Sequence, residues 1–407
     1  MTDRLTSVVT VGAGLAGLRA CEALRQHGYE GSLTLVGSEN RLPYDRPPLS
    51  KQLLAGSWDV ARCTLKTEQD LDALGIELDL GATAERLDLA TRSVALTDGR
   101  VLAFDGLVIA TGAVPRPLPG ITGRPDVLTL RDLEDALALH AIISRAGARL
   151  VIAGAGFIGL EVAATARGLG TDVVVVEPLA VPLERAVGQL VGAVCEAMHR
   201  DHGVDLRLGT VVDGVETGTH PGSGVTCLLS DGTSLEADAL LVGIGVLPAT
   251  SWLEGSGLEV GTGGLSCDAS LTAAPGVVAA GDLARWPHPV TGESLRVEHR
   301  TNAAEQGEHA ARSLLAGEGP RDAFAPVPYV WSDQYDHKIQ VLGSPNATDE
   351  TVVVDGSLDE FRFVVVFGRA GRLTGALGFS RPRVLMSYRP LLERGASFEE
   401  ALSVKQS

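Results

Sequence analysis

Two copies of one glycine pattern constrain the fold of this chain more than any other feature. The segment from Val8 to Leu18 reads VVTVGAGLAGL, and the segment from Leu150 to Leu160 reads LVIAGAGFIGL. In each copy a β-branched run enters Gly-x-Gly-x-x-Gly, a helical pattern follows, and a second apolar run ends in an acid, Glu39 or Glu177. A lone glycine motif is a weak signal, but the complete context in both copies predicts two nucleotide-binding domains about 140 residues apart.

The glycines of each motif have different tasks. The first permits a tight turn, the second lets a pyrophosphate approach the backbone, and the third lets helix and strand pack closely. The N–H groups at the helix N-terminus then face the phosphates. Glu39 lies 22 residues after Gly17 and Glu177 lies 18 after Gly159, where a carboxylate accepts hydrogen bonds from ribose hydroxyls. Because a carboxylate repels a 2′-phosphate and no arginine adjoins Glu177, we expect NADH rather than NADPH.

Two dinucleotide sites without a metal or nucleophile motif imply hydride transfer between two redox cofactors. The closest of the five cysteines are 32 residues apart, so the chain has no dithiol. Such a scattered, odd set is typical of reduced, buried thiols in a cytosolic protein. Five histidines without metal-ligand spacing are expected at the surface or at helix ends: His27, His140, His199, His202 and His220.

The charge and hydropathy of the chain exclude several classes of partner. A net charge of −17 argues against nucleic acid and against an anionic membrane surface. No apolar run reaches about 18 residues, and the N-terminal MTDRLTSVV has no signal-peptide pattern. We therefore expect a cytoplasmic protein. Without a coiled coil or a long apolar edge, we expect a monomer.

The length of 407 residues predicts two or three domains. The proline-rich VPRPLPG after the buried run at 107–112 marks one crossing between domains, and ALLVGIGVLP at 239–248 marks the return. From about Phe324 the pattern changes to short alternating strands followed by a helix to the C-terminus. The predicted fold class is α/β, with a first domain over 1–114 and 247–324, a second over 115–246, and an α+β domain over 325–407.

The ordered motifs resemble a known family. GAGLAG, YDRPPLSK, ATG, GAGFIGLE, GIGVLP, AAGD and NAAEQG follow one another as in flavoprotein reductases with two dinucleotide-binding domains. YDRPPLSK and PYVWSDQY are similar to segments of the oxygenase-coupled, NADH-dependent ferredoxin reductases, and the likeness runs from about residue 6 to about 400. The resemblance implies two Rossmann-like domains of the glutathione-reductase type, with FAD in the first and NADH in the second. It implies electron transfer to a 2Fe–2S ferredoxin that serves a monooxygenase or a ring-hydroxylating dioxygenase.

The resemblance also implies which residues bind the cofactors. For FAD they are Gly12, Gly14, Leu15, Ala16, Gly17, Glu39, Arg46, Lys51, Ala84, Ala110, Thr111, Gly112, Arg131, Gly281, Asp282 and Arg300. For NADH they are Gly154, Gly156, Phe157, Ile158, Gly159, Glu177 and Gly245. Arg300 departs from the family, in which an apolar residue is frequent at that position. Its cation either favours negative charge on the reduced flavin or points to solvent while only its N–H meets the cofactor.

Three residues are candidates for the chemistry itself. By resemblance, Lys51 and Glu161 form an ion pair beside flavin N5, with Glu161 in the first turn of its helix; the alternative is a surface pair of little consequence. Trp331 lies by resemblance at the flavin on the electron exit route, and the alternative is a core residue. Its neighbours Asp333 and Gln334 are expected to shape a turn. A basic patch for ferredoxin docking has six candidates: Arg312, Lys338, Arg381, Arg383, Arg389 and Arg394.

Several other functions are found on the same architecture. The missing dithiol excludes disulfide reductases, and the absence of a cysteine from Asn40 to Lys51 disfavours NADH oxidases and peroxidases. Rubredoxin reductase and monodehydroascorbate reductase share these motifs. A redox-sensing flavoprotein of the apoptosis-inducing-factor type is disfavoured because the C-terminal domain has no long insertion.

Overall fold

A computed structural model describes residues 5–121, 123–218 and 224–404, which form two units. The first unit holds the described residues up to Asp45 together with Cys63–Val114 and Leu247–Pro328. The second holds Arg46–Arg62, Pro115–Val246 and the described residues from Tyr329. His220 lies outside the described residues. None of the helices in the described ranges is long and apolar enough to cross a membrane.

The first unit is built on a six-stranded sheet. In spatial order its strands are Thr272–Ala274, Val277–Ala279, Gly106–Ile109, Ser7–Val11, Ser32–Gly37 and Glu77–Leu80. Only the pairing of the first two is antiparallel. The β-branched run of the central strand Ser7–Val11 is buried, as expected for a parallel strand covered on both faces. The helices of this unit are Leu15–Gln26, Glu68–Ala73 and Arg300–Ala316, with a 3-10 turn at Ser251–Leu253.

Two smaller sheets complete the first unit. One is the antiparallel sheet Ala84–Asp88, Ser93–Leu96 and Val101–Ala103. The other contains Val260–Gly261, Gly264–Ser266, Ala284–Pro287 and Ser294–Arg296. Both faces of the six-stranded sheet carry a buried apolar cluster, so the central strand that leads to Gly12 is packed on both sides.

The second unit contains a parallel sheet and an antiparallel sheet. The parallel sheet has the order Asp205–Leu208, Asp172–Glu177, Arg149–Ala153, Ala239–Val242 and Val127–Leu128. Its helices are Leu133–Ile143, Phe157–Gly168 and Glu184–Asp201, and a three-stranded sheet of Val212–Thr217, Val225–Leu229 and Ser234–Ala237 packs on it. The antiparallel sheet has the order Tyr329–Gln334, His337–Gly343, Arg372–Phe379, Arg362–Arg369 and Glu350–Ser357.

The end of the chain differs from the single helix that the sequence predicts. Three short helices follow the antiparallel sheet, at Pro382–Met386, Arg389–Glu393 and Phe398–Leu402. Pro390 sits in the first turn of the second of them, and Gly395 at a φ of 64° follows its end. Because proline cannot continue a preceding helix and glycine favours the left-handed conformation that ends one, the helical pattern is interrupted.

Short elements lie where the chain passes between the units. The 3-10 helix Pro47–Ser50 and the helix Val60–Cys63 belong to the first passage. The strands Ala113–Pro115 and Val246–Pro248 lie at the later crossings.

Candidate functional site

The first glycine loop has the geometry that a pyrophosphate needs. Gly12 has a φ of 116°, and a Cβ added there would lie 2.1 Å from the carbonyl oxygen of Ala110. A Cβ on Gly17 would lie 2.0 Å from the carbonyl oxygen of Gly12, whereas a Cβ on Gly14 would meet nothing within 4 Å. The helix Leu15–Gln26 starts at this open position without a side-chain cap. Its first N–H groups therefore face outward, where an anion could accept their hydrogen bonds.

The second loop repeats this geometry in the other unit. A Cβ on Gly154 would lie 2.5 Å from the carbonyl oxygen of Gly243, and a Cβ on Gly159 would lie 2.2 Å from that of Gly154. A Cβ on Gly156 would meet nothing within 4 Å. In the first turn of the following helix, Ile158 leaves 47% of its surface exposed. An exposed apolar side chain beside an open, uncapped helix N-terminus fits a bound nucleotide.

The two acids that end the second strands have different partners. The Tyr44 hydroxyl donates to the Glu39 carboxylate at 2.5 Å. The buried Glu177 carboxylate accepts the backbone N–H of Ala155 at 2.7 Å and that of Leu179 at 3.1 Å. An ionised carboxylate can accept about four hydrogen bonds, so Glu177, which accepts two from backbone N–H groups, retains capacity for ribose hydroxyls. Glu177 also holds the second glycine loop in place, a role that the sequence did not predict.

Two of the predicted FAD residues of the first unit, Gly281 and Asp282, lie near buried polar side chains. Thr111 donates to the carbonyl oxygen of Ala249 at 2.7 Å, and the N–H of Gly281 donates to Gln306 Oε1 at 2.8 Å. The buried side-chain atoms that lack a hydrogen-bond partner among the described residues include His299 Nδ1, Asn302 Oδ1 and Gln306 Nε2. Polar atoms are seldom left so in a native structure. These atoms therefore fit a polar ligand whose groups would satisfy them.

The remaining predicted FAD residues are placed as follows. Arg46 donates to the carbonyl oxygen of Arg131, and the N–H of Arg131 donates to Asp135 at 2.7 Å. Burial raises the pKa of Asp135 above its usual value. Leu15, Ala16, Ala84 and Gly112 lie in the first unit. Gly245 lies in the second, at a φ of 98°.

Arg300 has a partner that neither sequence hypothesis foresaw. Its Nε lies 2.7 Å from Asp45 Oδ1, at the start of the helix Arg300–Ala316. The side chain is therefore neutralised by a carboxylate instead of pointing freely to solvent. The pairing also ties this helix to the chain just before the first passage between units.

Lys51 and Glu161 are brought together within the second unit. Lys51 Nζ lies 2.6 Å from Glu161 Oε2, and only 12% and 4% of the two side chains are exposed. Glu161 also accepts hydrogen bonds from the hydroxyls of Ser50 and Ser332. A pair this buried is not a surface ion pair. Neither serine was predicted from the sequence as a site residue, although Ser50 lies in the motif YDRPPLSK and Ser332 in PYVWSDQY.

The predicted position of Glu161 in the first helical turn is wrong. The helix begins at Phe157, so Glu161 is its fifth residue, and the first turn contains no acid. Because the helix dipole acts mainly within the first turn, it contributes little here. Lys51 and the two serines hold the carboxylate instead.

In the strand Tyr329–Gln334, the side chain of Trp331 lies on the opposite face from those of Ser332 and Gln334. Trp331 is half-buried and stacks on Tyr329 with 6.0 Å between ring centroids, whereas Ser332 and Gln334 are fully buried on the other face. Asp333 is a strand residue rather than a turn residue, and it pairs with Lys338 on the neighbouring strand at 2.8 Å. Gln334 does not shape the turn as expected; its Oε1 lies 2.9 Å from Nε2 of the fully buried His199.

The cysteines are not poised to react. Burial raises the pKa of Cys21, Cys195, Cys227 and Cys267 to about 12. Cys63 is also buried. Since the thiolate is the nucleophile, the four thiols with a raised pKa are unreactive at neutral pH.

Most candidates for a basic patch face carboxylates. Arg312 pairs with Glu308, Arg381 with Asp355, Arg389 with Glu393 and Arg394 with Glu400, and Lys338 pairs with Asp333. Arg383 is exposed and has no acidic partner among the described residues. The six residues therefore supply little uncompensated positive charge.

Comparisons with known proteins agree with this geometry. Residues 6–307 match the family model described as pyridine nucleotide-disulphide oxidoreductase, and residues 329–406 match the reductase C-terminal model. Putidaredoxin reductase CamA of Pseudomonas putida is 38% identical over 92% of this chain and 89% of its own length. The ferredoxin–NAD(+) reductase component of the anthranilate 1,2-dioxygenase system of Burkholderia cepacia is 37% identical over 95% and 94%. The solved covalent complex of putidaredoxin reductase with putidaredoxin superposes with a TM-score of 0.91 at 35% identity, covering 98% of this chain and 95% of that one.

Proposed function

The chain belongs to the FAD- and NAD-dependent ferredoxin reductases of the pyridine nucleotide-disulphide oxidoreductase family, and we propose that it carries electrons from NADH to a 2Fe–2S ferredoxin that serves an oxygenase. The resemblance, the fold class and the two cofactors predicted from the motifs are confirmed. FAD, when bound, accepts a hydride and releases its two electrons one at a time, which no protein side chain does.

The observation that carries this proposal is the pair of glycine loops. Each holds its middle glycine, Gly14 or Gly156, open at a helix N-terminus while its outer glycines are closed in by backbone. The inert cysteines support transfer between cofactors rather than to a thiol. The acceptor is proposed from the relatives, two of which are named for ferredoxins or their reductases.

The proposed domains follow the predicted boundaries. FAD would be bound by 1–114 and 247–324, NADH by 115–246, and residues 325–407 would form the C-terminal domain. The six-stranded sheet within the first range and the parallel sheet within the second support this division. We also propose a monomer in the cytoplasm, and the five free thiols support the location.

The roles of individual residues are proposed from their placement. Gly12, Gly14 and Gly17 would bind the pyrophosphate of FAD, and Gly154, Gly156 and Gly159 would bind that of NADH. Glu39 and Glu177 would accept hydrogen bonds from ribose, and the second of these would disfavour NADPH. Lys51 would place a fixed positive charge beside the flavin, with Glu161 holding its ammonium group. Trp331 would lie on the route to the acceptor.

Stopped-flow measurements on the purified holoprotein test the function. NADH should bleach the flavin absorbance much faster than NADPH does, and adding a 2Fe–2S ferredoxin should start the reduction of cytochrome c. Rubredoxin and monodehydroascorbate serve as alternative acceptors. A better rate with either would contradict the ferredoxin proposal, and slow turnover with every acceptor would favour a redox sensor. A colourless protein that cannot be reconstituted with FAD would contradict the whole proposal.

A further inference from the structure

A chain of buried polar side chains crosses the second unit and ends on the Lys51–Glu161 pair. Its members come from four separate parts of the sequence, and in spatial order they are Tyr335, His199, Gln334, Ser332, Glu161 and Lys51. The successive heavy-atom distances are 3.1, 2.9, 3.0, 2.8 and 2.6 Å. None of the first four residues was predicted from the sequence to take part in the redox site; Gln334 was expected only to shape a turn, and His199 only at the surface or a helix end.

The direction of every hydrogen bond follows from the charged end. An ionised Glu161 can only accept, so Ser332 Oγ must donate to it. Ser332 then accepts from Gln334 Nε2, and Gln334 Oε1 accepts from His199 Nε2. Neutral His199 therefore has its proton on Nε2, and its bare Nδ1 accepts from the hydroxyl of Tyr335. All the donors point towards Glu161.

Because the hydrogen-bonded side chains are buried, the series in which every donor points towards Glu161 is the stable arrangement. Ser332, Gln334 and His199 are fully buried, and Glu161 is 3% exposed. Burial lowers the pKa of His199 to about 4, so the ring is neutral at physiological pH. Hydrogen bonds aligned in one direction polarise one another in a low dielectric. The alignment therefore strengthens the last donor, Ser332, on the carboxylate.

Tyr335, the member of this hydrogen-bonded series farthest from Lys51, has an unfavourable backbone conformation. Tyr335 lies in the hairpin turn at a φ of 55°, a left-handed conformation that glycine or asparagine adopts more easily. Its ring stacks on His202 with 3.6 Å between centroids. His202 is exposed and its Nδ1 lies 2.8 Å from the carbonyl oxygen of Met198. This conformation places the Tyr335 hydroxyl at His199 Nδ1 and the Tyr335 ring on His202.

We propose that Tyr335, His199, Gln334 and Ser332 are positioning residues for the redox reaction, acting through Glu161 on Lys51. The four side chains fix the rotamer of Glu161, and Glu161 fixes the ammonium group of Lys51. This inference rests on the proposed role of Lys51 and Glu161 beside the flavin. A purely structural strand would bury apolar side chains at 332 and 334, because replacing both partners of a buried hydrogen bond by apolar groups is nearly neutral for stability.

The first test replaces the donor on Glu161 in the holoenzyme. Ser332→Ala should slow flavin reduction by NADH about tenfold, since a hydrogen bond to a charged group is lost. Flavin content and the NADH dissociation constant should not change. Ser332→Thr, which keeps the hydroxyl, should restore the rate to within about twofold. Ser357→Ala, at the end of another strand of the same sheet, is the matched control and should behave as wild type.

A second test separates positioning from folding. The double variant His199→Leu, Gln334→Leu removes both partners of one bond, so its unfolding midpoint in urea should stay close to wild type. Its flavin reduction should slow about as much as in Ser332→Ala. A wild-type rate in both variants, or no rescue by threonine, would overturn the proposal.

The third readout does not depend on activity. Nitrogen-15 NMR of histidine-labelled holoenzyme should show His199 neutral with its proton on Nε2 at pH 7. Protonation on Nδ1 would overturn the proposed direction of the chain. Glu161→Gln distinguishes this inference from the proposed function: if that variant reduces its flavin at the wild-type rate, the role of the ion pair itself is wrong. If Glu161→Gln is slow and Ser332→Ala is not, only the positioning chain is wrong.

Discussion

Gly156 differs from the other glycines of its loop in what an added methyl group would meet. A Cβ at Gly159 would lie 2.2 Å from a backbone oxygen, whereas a Cβ at Gly156 would meet no protein atom within 4 Å. We expect Gly156→Ala to leave folding and flavin content unchanged and to weaken NADH binding by on the order of tenfold or more, because the methyl group occupies the approach of the pyrophosphate. Titration of the holoprotein with NADH measures this.

Two further variants make that experiment specific. Gly168→Ala, at the end of the same helix and also in open space, should bind NADH normally, since alanine is the better helix former. Gly159→Ala should lower the unfolding midpoint because backbone must move. Normal NADH binding by Gly156→Ala would contradict the assignment of the second loop.

His199 should make stability depend on pH. Burial lowers its pKa from 6.5 to about 4, so between these values the unfolded chain binds a proton that the folded protein does not. The stabilising contribution is complete above pH 6.5 and is lost as the pH falls towards 4. Between pH 7 and pH 5 the loss is about 2 kcal/mol.

Urea unfolding of wild type and of the His199→Leu, Gln334→Leu variant at pH 7 and pH 5 isolates this contribution. Other groups titrate in both proteins, so the variant should lose about 2 kcal/mol less than wild type between the two pH values. Equal losses would show that His199 is protonated as easily in the folded protein as in the unfolded chain.

At the scale of single elements, the strand Tyr329–Gln334 presents two different faces. Trp331 lies on the face opposite Ser332 and Gln334, so its replacement leaves the buried network intact. We expect Trp331→Ala to retain the NADH-dependent bleaching of the flavin but to slow the reduction of ferredoxin about tenfold. Trp331→Phe, which keeps a stacking ring, is the control. A loss confined to the NADH step would place Trp331 on the donor side.

The elements show which parts of the site a sequence can reveal. The glycine loops were predictable because their pattern is local in the sequence: strand, loop and helix follow one another within one short segment, although Gly12 and Gly154 also pack against backbone from a distant strand end. The network on Glu161 was not, because Ser50, His199 and Ser332 meet only through tertiary packing. One signal was available, since polar residues at 332 and 334 occupy the same face of a strand with a period of two. The prediction that Glu161 lies in the first turn of its helix was wrong, because the residue at which the helix begins depends on the geometry of the glycine loop before it.

At the scale of the whole molecule, charge determines how the protein meets an acidic ferredoxin. The chain carries −17, and five of the six cations considered for docking are paired with carboxylates. Paired charges contribute little to a long-range field, so only Arg383 offers uncompensated charge among these candidates. The approach of an acidic partner should therefore meet net repulsion at low ionic strength.

This repulsion predicts a salt dependence with a definite sign. The Debye length falls from about 30 Å at 0.01 M to about 8 Å at 0.15 M, so kcat/KM for the ferredoxin should rise over this range. A neutral quinone as acceptor reports any salt effect on the NADH step, and the ratio of the two rates isolates the encounter. Arg383→Glu should steepen the rise, whereas Arg312→Glu exchanges a cation already paired with Glu308 and should alter it less. If kcat/KM instead falls steeply with salt, attraction governs the encounter, and a basic docking surface must lie on residues other than these six.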